Sequence, residues 1–230
     1  MKIVLIAGLR NEFDFSLAGV FAREGYRVFA FYGGDSGVMG NEQVDGITLL
    51  PMGLNDAAVE LKKIADCVDI YVDVTDERSA ADNFNVRLGL NDDVMRYIYD
   101  ANVIKPMAML EAFFPMLEAG EVKRICYLTS SQASINETRD TAGYGYKMAK
   151  AGLHNFLQIT RNVLSSKGYT IRVFDPCLAA AGCEISRAQI AAEAAFNYFV
   201  RDRGAGRHDT LRDDECNLVF RDAFGRGHSW

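Results

Sequence analysis

The sequence predicts an α/β fold, a doubly wound parallel sheet with helices on both faces. Three observations lead there. Short apolar runs recur along the chain, and each ends in glycine or a polar cluster, as buried parallel strands do. Stretches of helical period separate them, which makes repeated strand, helix, strand units. Residues suited to ligand binding, Gly8, Asp73, Ser130, Ser131 and Pro176, fall where these strands end. In open α/β sheets ligands bind outside the carboxyl ends of the strands.

The elements follow in order. Lys2–Ala7 is a buried strand stopped by Gly8, and Asp14 or Ser16 caps a helix over Leu17–Glu24 that Gly25 ends. Arg27–Tyr32 is the second strand, closed by Gly33-Gly34. A third strand over Ile47–Leu50 leads to a helix over Asp56–Ala65, and Val68–Val74 forms the fourth strand. Helices over Asp92–Tyr99 and Pro106–Glu118 follow; Pro106 is tolerated as a first-turn residue. Strand Lys123–Leu128 delivers Thr129-Ser130-Ser131, and helix Tyr146–Ser165 comes next. Strand Thr170–Phe174, the Asp175-Pro176 corner, helix Ser186–Val200 and a late strand over Asn217–Phe220 complete the chain.

A length of 230 residues without an internal linker suits one domain, 1–230, with 177–230 as a substrate lid and C-terminal segment. A net charge of −6 excludes the basic footprint of nucleic-acid binding and a polybasic membrane patch. Five cysteines, odd in number and without a CxxC pair, read as reduced thiols in a cytoplasmic protein, and three scattered histidines give no metal site. The apolar start is too short for a signal peptide or a membrane span. The charged stretch Arg201–Asp209 reads as solvated surface.

Tyr146 and Lys150 stand four apart at the head of a helix, so both point to one face. A phenol is a poor proton donor or acceptor at neutral pH, and a fixed ammonium nearby favours its phenolate. That pairing makes a usable acid/base. With 10 tyrosines in the chain such a pair arises readily by chance, so its weight rests on its surroundings.

Those surroundings resemble the short-chain dehydrogenase/reductase family. Tyr146-Lys147-Met148-Ala149-Lys150 is similar to the family's Tyr-x-x-x-Lys, and Ile125–Ser131 looks like the strand that ends in its catalytic serine. Asp100-Ala101-Asn102 resembles its Asp-Val-Asn, and Arg172–Pro176 resembles the strand that runs into its Pro-Gly. The resemblance implies a Rossmann-like fold and an NAD- or NADP-dependent oxidoreductase acting on a carbonyl or alcohol of a small molecule. Tyr146 is then the general acid/base, Lys150 lowers its pKa and holds the nicotinamide ribose, Ser131 bonds the substrate oxygen, and Asn102 positions a relay water. Ser130 and Ser134 are alternative serines.

The cofactor half departs from the family pattern. Of the glycine-rich first turn only Gly8 remains, with Glu12 and Asp14 in place of glycines. Gly8-Leu9-Arg10-Asn11 followed by Ser16-Leu17-Ala18 is similar to the turn of the enoyl-acyl-carrier reductase branch; Ser16 then faces the pyrophosphate and the two acids bulge outward. The cofactor-binding set implied is Gly8, Arg10, Asn11, Ser16, Tyr32, Asp73, Tyr146, Lys150 and Pro176. Asp35 or Arg10 would choose between NAD and NADP, and Gly53 stands where an adenine-contacting Asp is usual. Two other readings remain open: an epimerase or dehydratase that uses bound NAD(P), and a non-catalytic binding or assembly subunit. The resemblance further implies a homodimer or homotetramer built on the helices bearing Asn102 and Tyr146, with Trp230 packed across a subunit contact.

Overall fold

The structure is a computed structural model that describes residues 1–32, 46–50, 54–177, 185–201 and 217–230. Its strands are β1 (Ile3–Leu9), β2 (Arg27–Tyr32), β3 (Ile47–Leu50), β4 (Ile70–Asp73), β5 (Arg124–Leu128), β6 (Thr170–Asp175), β7 (Phe220–Asp222) and β8 (Gly227–His228). They form one sheet in the order β3-β2-β1-β4-β5-β6-β7-β8. Every pairing is parallel except the terminal β7–β8 hairpin. The helices are α1 (Glu12–Arg23), α2 (Leu54–Ile64), α3 (Asp92–Tyr99), α4 (Lys105–Glu118), α5 (Tyr144–Leu164) and α6 (Ile185–Val200). The predicted doubly wound α/β fold is the observed one.

The apolar runs are continuous because both faces of the sheet are covered. Along β1, Ile3, Leu5 and Ala7 enter a core shared with α2, α4 and α5, whereas Val4, Ile6 and Leu9 enter a second core with α1 and α6. Alternation along the strand divides it between two layers, and the register irregularity between Ala7 and Leu9 puts Leu9 in the second. On the second face Phe21 of α1 meets Phe196 of α6 edge-on, with ring centroids 4.9 Å apart. Each such ring, fully buried, stabilises by roughly 2–3 kcal/mol.

Three boundaries differ from the sequence expectation. Helix α1 starts at Glu12 rather than Leu17, because Asn11 caps it and Asp14 completes a reciprocal capping box. Helices α3 and α4 are joined by a π-helical turn over Asp100–Ile104 that carries Asn102. The late strand is β7, displaced toward the C-terminus and folded back as a hairpin with β8. The hairpin delivers Trp230 onto His154 and Phe220 of the same chain, with ring centroids 4.6 and 5.8 Å away. Burial, with the Lys150 charge, pushes the His154 imidazole down to about 3, so the ring stays neutral beneath the indole.

Gly33, Asp35, Gly53, residues 178–184 of the expected lid, residues 202–210, Cys183 and Cys216 lie outside the described residues. Among the described residues no helix is long and apolar enough to cross a membrane.

Candidate active site

The strand order reverses between β1 and β4, which pair with Ala7 opposite Asp73. Such a switch point opens a crevice at the carboxyl ends of the strands. Gly8 turns the chain there with φ +90°, and a Cβ at this position would lie 2.4 Å from Thr75 Oγ1. The turn after β1 therefore packs directly on the segment after β4, and only glycine fits.

Tyr146 and Lys150 reach the crevice from the first turns of α5. Gly143, the N-cap residue, gives no side-chain cap. The carboxylate of Asp82, from a distant single turn over Ala80–Asp82, does so instead, accepting from Gly145 N at 2.9 Å and Tyr146 N at 2.8 Å. Asp82→Ala is expected to cost about 1–2 kcal/mol and to lower the thermal midpoint by about 2–8 °C. An unchanged midpoint in a melting experiment would refute this capping role.

Three groups contact the phenol or its neighbours. The Tyr146 hydroxyl donates to Asp76 Oδ1 at 2.5 Å, and Arg78 Nη2 donates to the same phenol oxygen at 2.7 Å. The Ser130 hydroxyl, which accepts from Gln132 N at 3.3 Å, acts to lower the phenol. Lys150, fully buried, donates to Thr75 O at 2.7 Å and stands 3.4 Å from Asp76 Oδ1. Burial and the Asp76 charge raise the phenol well above its ordinary value, with Arg78 and Ser130 opposing them. This direction is opposite to the expected lowering by Lys150. Burial also lowers the Lys150 ammonium, against the pull of Asp76 and Asp73. At Asp76 burial works upward, but Lys150 and Arg78 outweigh it and hold the carboxyl below its usual range.

Asn102, with no exposed surface, binds the segment after β4 rather than Lys150. It accepts from Glu77 N at 3.1 Å and donates to Glu77 O at 2.8 Å and Ile98 O at 2.9 Å. Of the three candidate serines, Ser130 is the one whose hydroxyl bears on the Tyr146 phenol, acting to lower it. Ser131 donates its backbone N–H to Asp175 Oδ2 at 2.6 Å, and Ser134 is buried with its hydroxyl accepting from Glu137 N. Asp175 Oδ1 also accepts from Cys177 N at 2.7 Å, which closes the corner around half-buried Pro176. Cys177 has φ 56°, a left-handed backbone, and stands where the resemblance places the glycine of Pro-Gly.

At the expected cofactor end the chain supplies its own anion. Asp14, 1% exposed, accepts from Arg10 N at 2.8 Å and Asn11 N at 3.1 Å, while its Oδ1 is buried without a partner. The expectation that both acids bulge outward is corrected for Asp14, which turns inward as the N3 member of the capping box; Glu12 alone is exposed. Burial raises the Asp14 carboxyl to about 7, although its two backbone hydrogen bonds act to lower it. Arg10 pairs with Glu77, Asn11 serves as the α1 cap, and Ser16 sits half-buried one turn inside that helix rather than at its end. Asp73 is buried and accepts from Tyr71 Oη at 3.0 Å and Thr75 N at 2.9 Å. The backbone of Tyr32 pairs with Leu9 at the end of β2.

Asp76, Arg78 and Asp82 are the site residues that sequence reasoning missed as participants. The signal for Asp76 and Arg78 was the charged run Asp73-Val74-Thr75-Asp76-Glu77-Arg78 placed directly after a buried strand, and Asp82 lies beyond it. A cavity of about 390 Å³ adjoins Tyr146, lined by Arg78, Gln132, Asp140, Thr141, Gly143 and Lys147 among others.

No family model matches the chain. Two uncharacterized oxidoreductases of Schizosaccharomyces pombe are similar to it, one 24% identical over 121 residues (53% of this chain, 46% of the relative) and another 28% identical over 122 residues (53% and 47%). The matched stretch thus spans about half the length of these curated relatives. A carbonyl reductase from Pseudomonas aeruginosa PAO1, solved in complex with NADP, superposes with TM-score 0.73 at 16% identity over 100% of both chains. An oxidoreductase of the short-chain dehydrogenase/reductase family from Brucella ovis, in complex with a partially ordered NAD, gives TM-score 0.63 at 16% identity over 87% of this chain and 93% of that one. At these identities the likeness is one of fold. The chain has the fold of these short-chain dehydrogenase/reductase structures.

Proposed function

We propose that the chain is an NAD(P)-dependent oxidoreductase that interconverts a carbonyl and an alcohol on a small polar molecule. One observation carries this reading: Tyr146 and Lys150 stand together against the segment that leaves β4, beside a cavity of substrate size, and Asn102 holds that same segment.

The crevice suits a dinucleotide at one end as it stands and at the other once Asp14 moves aside. At one end Lys150 and Tyr146 stand side by side, as a ribose and a reacting ring require. At the other, the N–H groups of Arg10 and Asn11 at the head of α1 already hold an anion, the Asp14 carboxylate, so the anion site exists and its occupant must yield. Arg10 and Asn11 would hold phosphate, and Lys150 the ribose. NAD(P), when bound, supplies or accepts hydride at C4 of its nicotinamide.

In the reducing direction Tyr146 gives its hydroxyl proton to the carbonyl oxygen, and Ser130 hydrogen-bonds that oxygen. A donor fixed in place before charge develops is worth about 3 kcal/mol. Asn102 acts at one remove, holding Glu77 and so the segment that contacts Tyr146 and Lys150. Charged and amide groups dominate the cavity wall, which suits a polar substrate rather than a lipid-like one.

The test is to incubate the protein with NADH or NADPH and a panel of small aldehydes and ketones while following nicotinamide absorbance. Carbonyl-dependent oxidation that Lys150→Met removes is expected. Bound dinucleotide with no turnover of any carbonyl would overturn the reading. Asp14 in the anion site favours a second reading, a binding subunit that takes no dinucleotide.

A further inference from the structure

The phenol oxygen of Tyr146 has a charged partner on each side, neither of them Lys150. We propose that Asp76 and Arg78 form a charge pair that sets when Tyr146 releases its proton: Asp76 holds the hydroxyl protonated, and Arg78 stabilises the phenolate left behind. The use of this pair in turnover rests on the oxidoreductase reading; its effect on the phenol does not.

The geometry assigns the two roles. Asp76 Oδ1 accepts the hydroxyl proton at 2.5 Å, a short charge-assisted hydrogen bond. Arg78 lies with its guanidinium carbon 4.0 Å from the Tyr146 ring centroid and Nη2 at 2.7 Å from the phenol oxygen. It is held there by Asp76 Oδ2 at 3.0 Å and Gln132 Oε1 at 3.3 Å. The Lys150 ammonium is 5.9 Å from the ring centroid and is engaged by Thr75 O and Asp76. Arg78 is therefore the cation in contact with the atom that changes charge, and a guanidinium keeps its own charge throughout.

When the proton passes from Tyr146 Oη to a substrate oxygen, the phenolate faces the Asp76 carboxylate at hydrogen-bond distance. Like charges so placed disfavour ionisation, and a cation bonded to the same oxygen offsets them. The other charged groups around the phenol are Lys150 and Lys147 on α5, Asp82 at the α5 N-terminus, Asp73 at the end of β4 and Asp175 at the end of β6. Lys147 pairs with Asp140 at 3.2 Å, Asp82 bonds backbone N–H groups, and Asp175 is engaged by Ser131 N and Cys177 N. Beyond burial, the protonation state of Tyr146 thus turns on Asp76 and Arg78. Both act on the reaction through Tyr146 and are positioning residues.

The test is tyrosine ring-carbon NMR across an alkaline titration, with the Tyr146 signal identified among the 10 tyrosines by its loss in Tyr146→Phe. Asp76→Asn is expected to lower the Tyr146 titration by about one pH unit or more. Adding Arg78→Met to Asp76→Asn should move it back up by a similar amount, and Arg78→Lys should restore part of the difference. The proposal is overturned if Asp76→Asn shows no Tyr146 titration below the pH at which it unfolds. It is equally overturned if Arg78→Met leaves the Asp76→Asn titration in place. Neither readout needs turnover, so loss of the oxidoreductase reading and loss of this proposal are separately visible.

Discussion

Tyr146→Phe is expected to reduce carbonyl turnover by about 10²–10⁴-fold, the range that a positioned general acid supplies. Dinucleotide affinity should change little. The phenylalanine ring keeps its place under the Arg78 guanidinium and on the buried face of α5. Asp76, left without the hydroxyl, keeps Lys150 and Arg78 as partners. The stability cost should therefore stay near that of the hydrogen bonds to charged groups lost at the phenol oxygen, about 2–3 kcal/mol. Steady-state kinetics beside a denaturation curve separates the two effects. A variant that retains more than about a tenth of the wild-type rate would remove Tyr146 from the proton transfer.

Asp14→Asn is expected to change both stability and nucleotide binding, in a manner fixed by the sign of the Asp14 shift. Its carboxyl is raised from 3.8 to about 7 in the folded protein. Between these values the folded state holds a proton that the unfolded state has lost, so Asp14's contribution to stability is full below the lower value and is lost as pH rises through about 7. Above that range the buried charge costs up to about 4 kcal/mol. Asparagine keeps an acceptor for Arg10 N and Asn11 N without the charge. The variant should be more stable than wild type at alkaline pH, with the difference shrinking toward acid. Dinucleotide affinity of the wild type should fall about tenfold per pH unit above 7, since phosphate must replace a carboxylate there, and the variant's affinity should be flatter. Parallel pH curves for the two proteins would show that Asp14 does not occupy the phosphate position.

What the sequence made legible was local. Apolar runs marked β1, β2, β5 and β6 because both sheet faces are buried, and the four-residue spacing of Tyr146 and Lys150 put them on one helix face by geometry alone. The start of α1 was misplaced because the apolar period beginning at Leu17 outweighed the polar capping box formed by Asn11 and Asp14. The π-helical turn around Asn102 has no periodic signal to distinguish it from continuous helix.

The site partners were hidden because sequence distance conceals them. Asp82 caps Tyr146 N across 64 positions, and Arg78 reaches the phenol across 68. A charged run after a strand shows that something polar is there. Only the switch between β1 and β4 determines that this run folds over Tyr146. Trp230 was open to a subunit contact in the sequence and folds onto His154 because the β7–β8 hairpin reverses the chain.

The crevice between β1 and β4 is expected to take a nicotinamide dinucleotide. Titrating the wild type and Asp14→Asn with NADH and, separately, NADPH, and following nicotinamide fluorescence on both sides of neutral pH, tests it most directly. Saturable binding of at least one dinucleotide is expected, tighter at the lower pH for wild type and less dependent on pH for Asp14→Asn. No binding of either dinucleotide to either protein at any pH tested would contradict it and leave the Tyr146 and Lys150 pair without a hydride to serve.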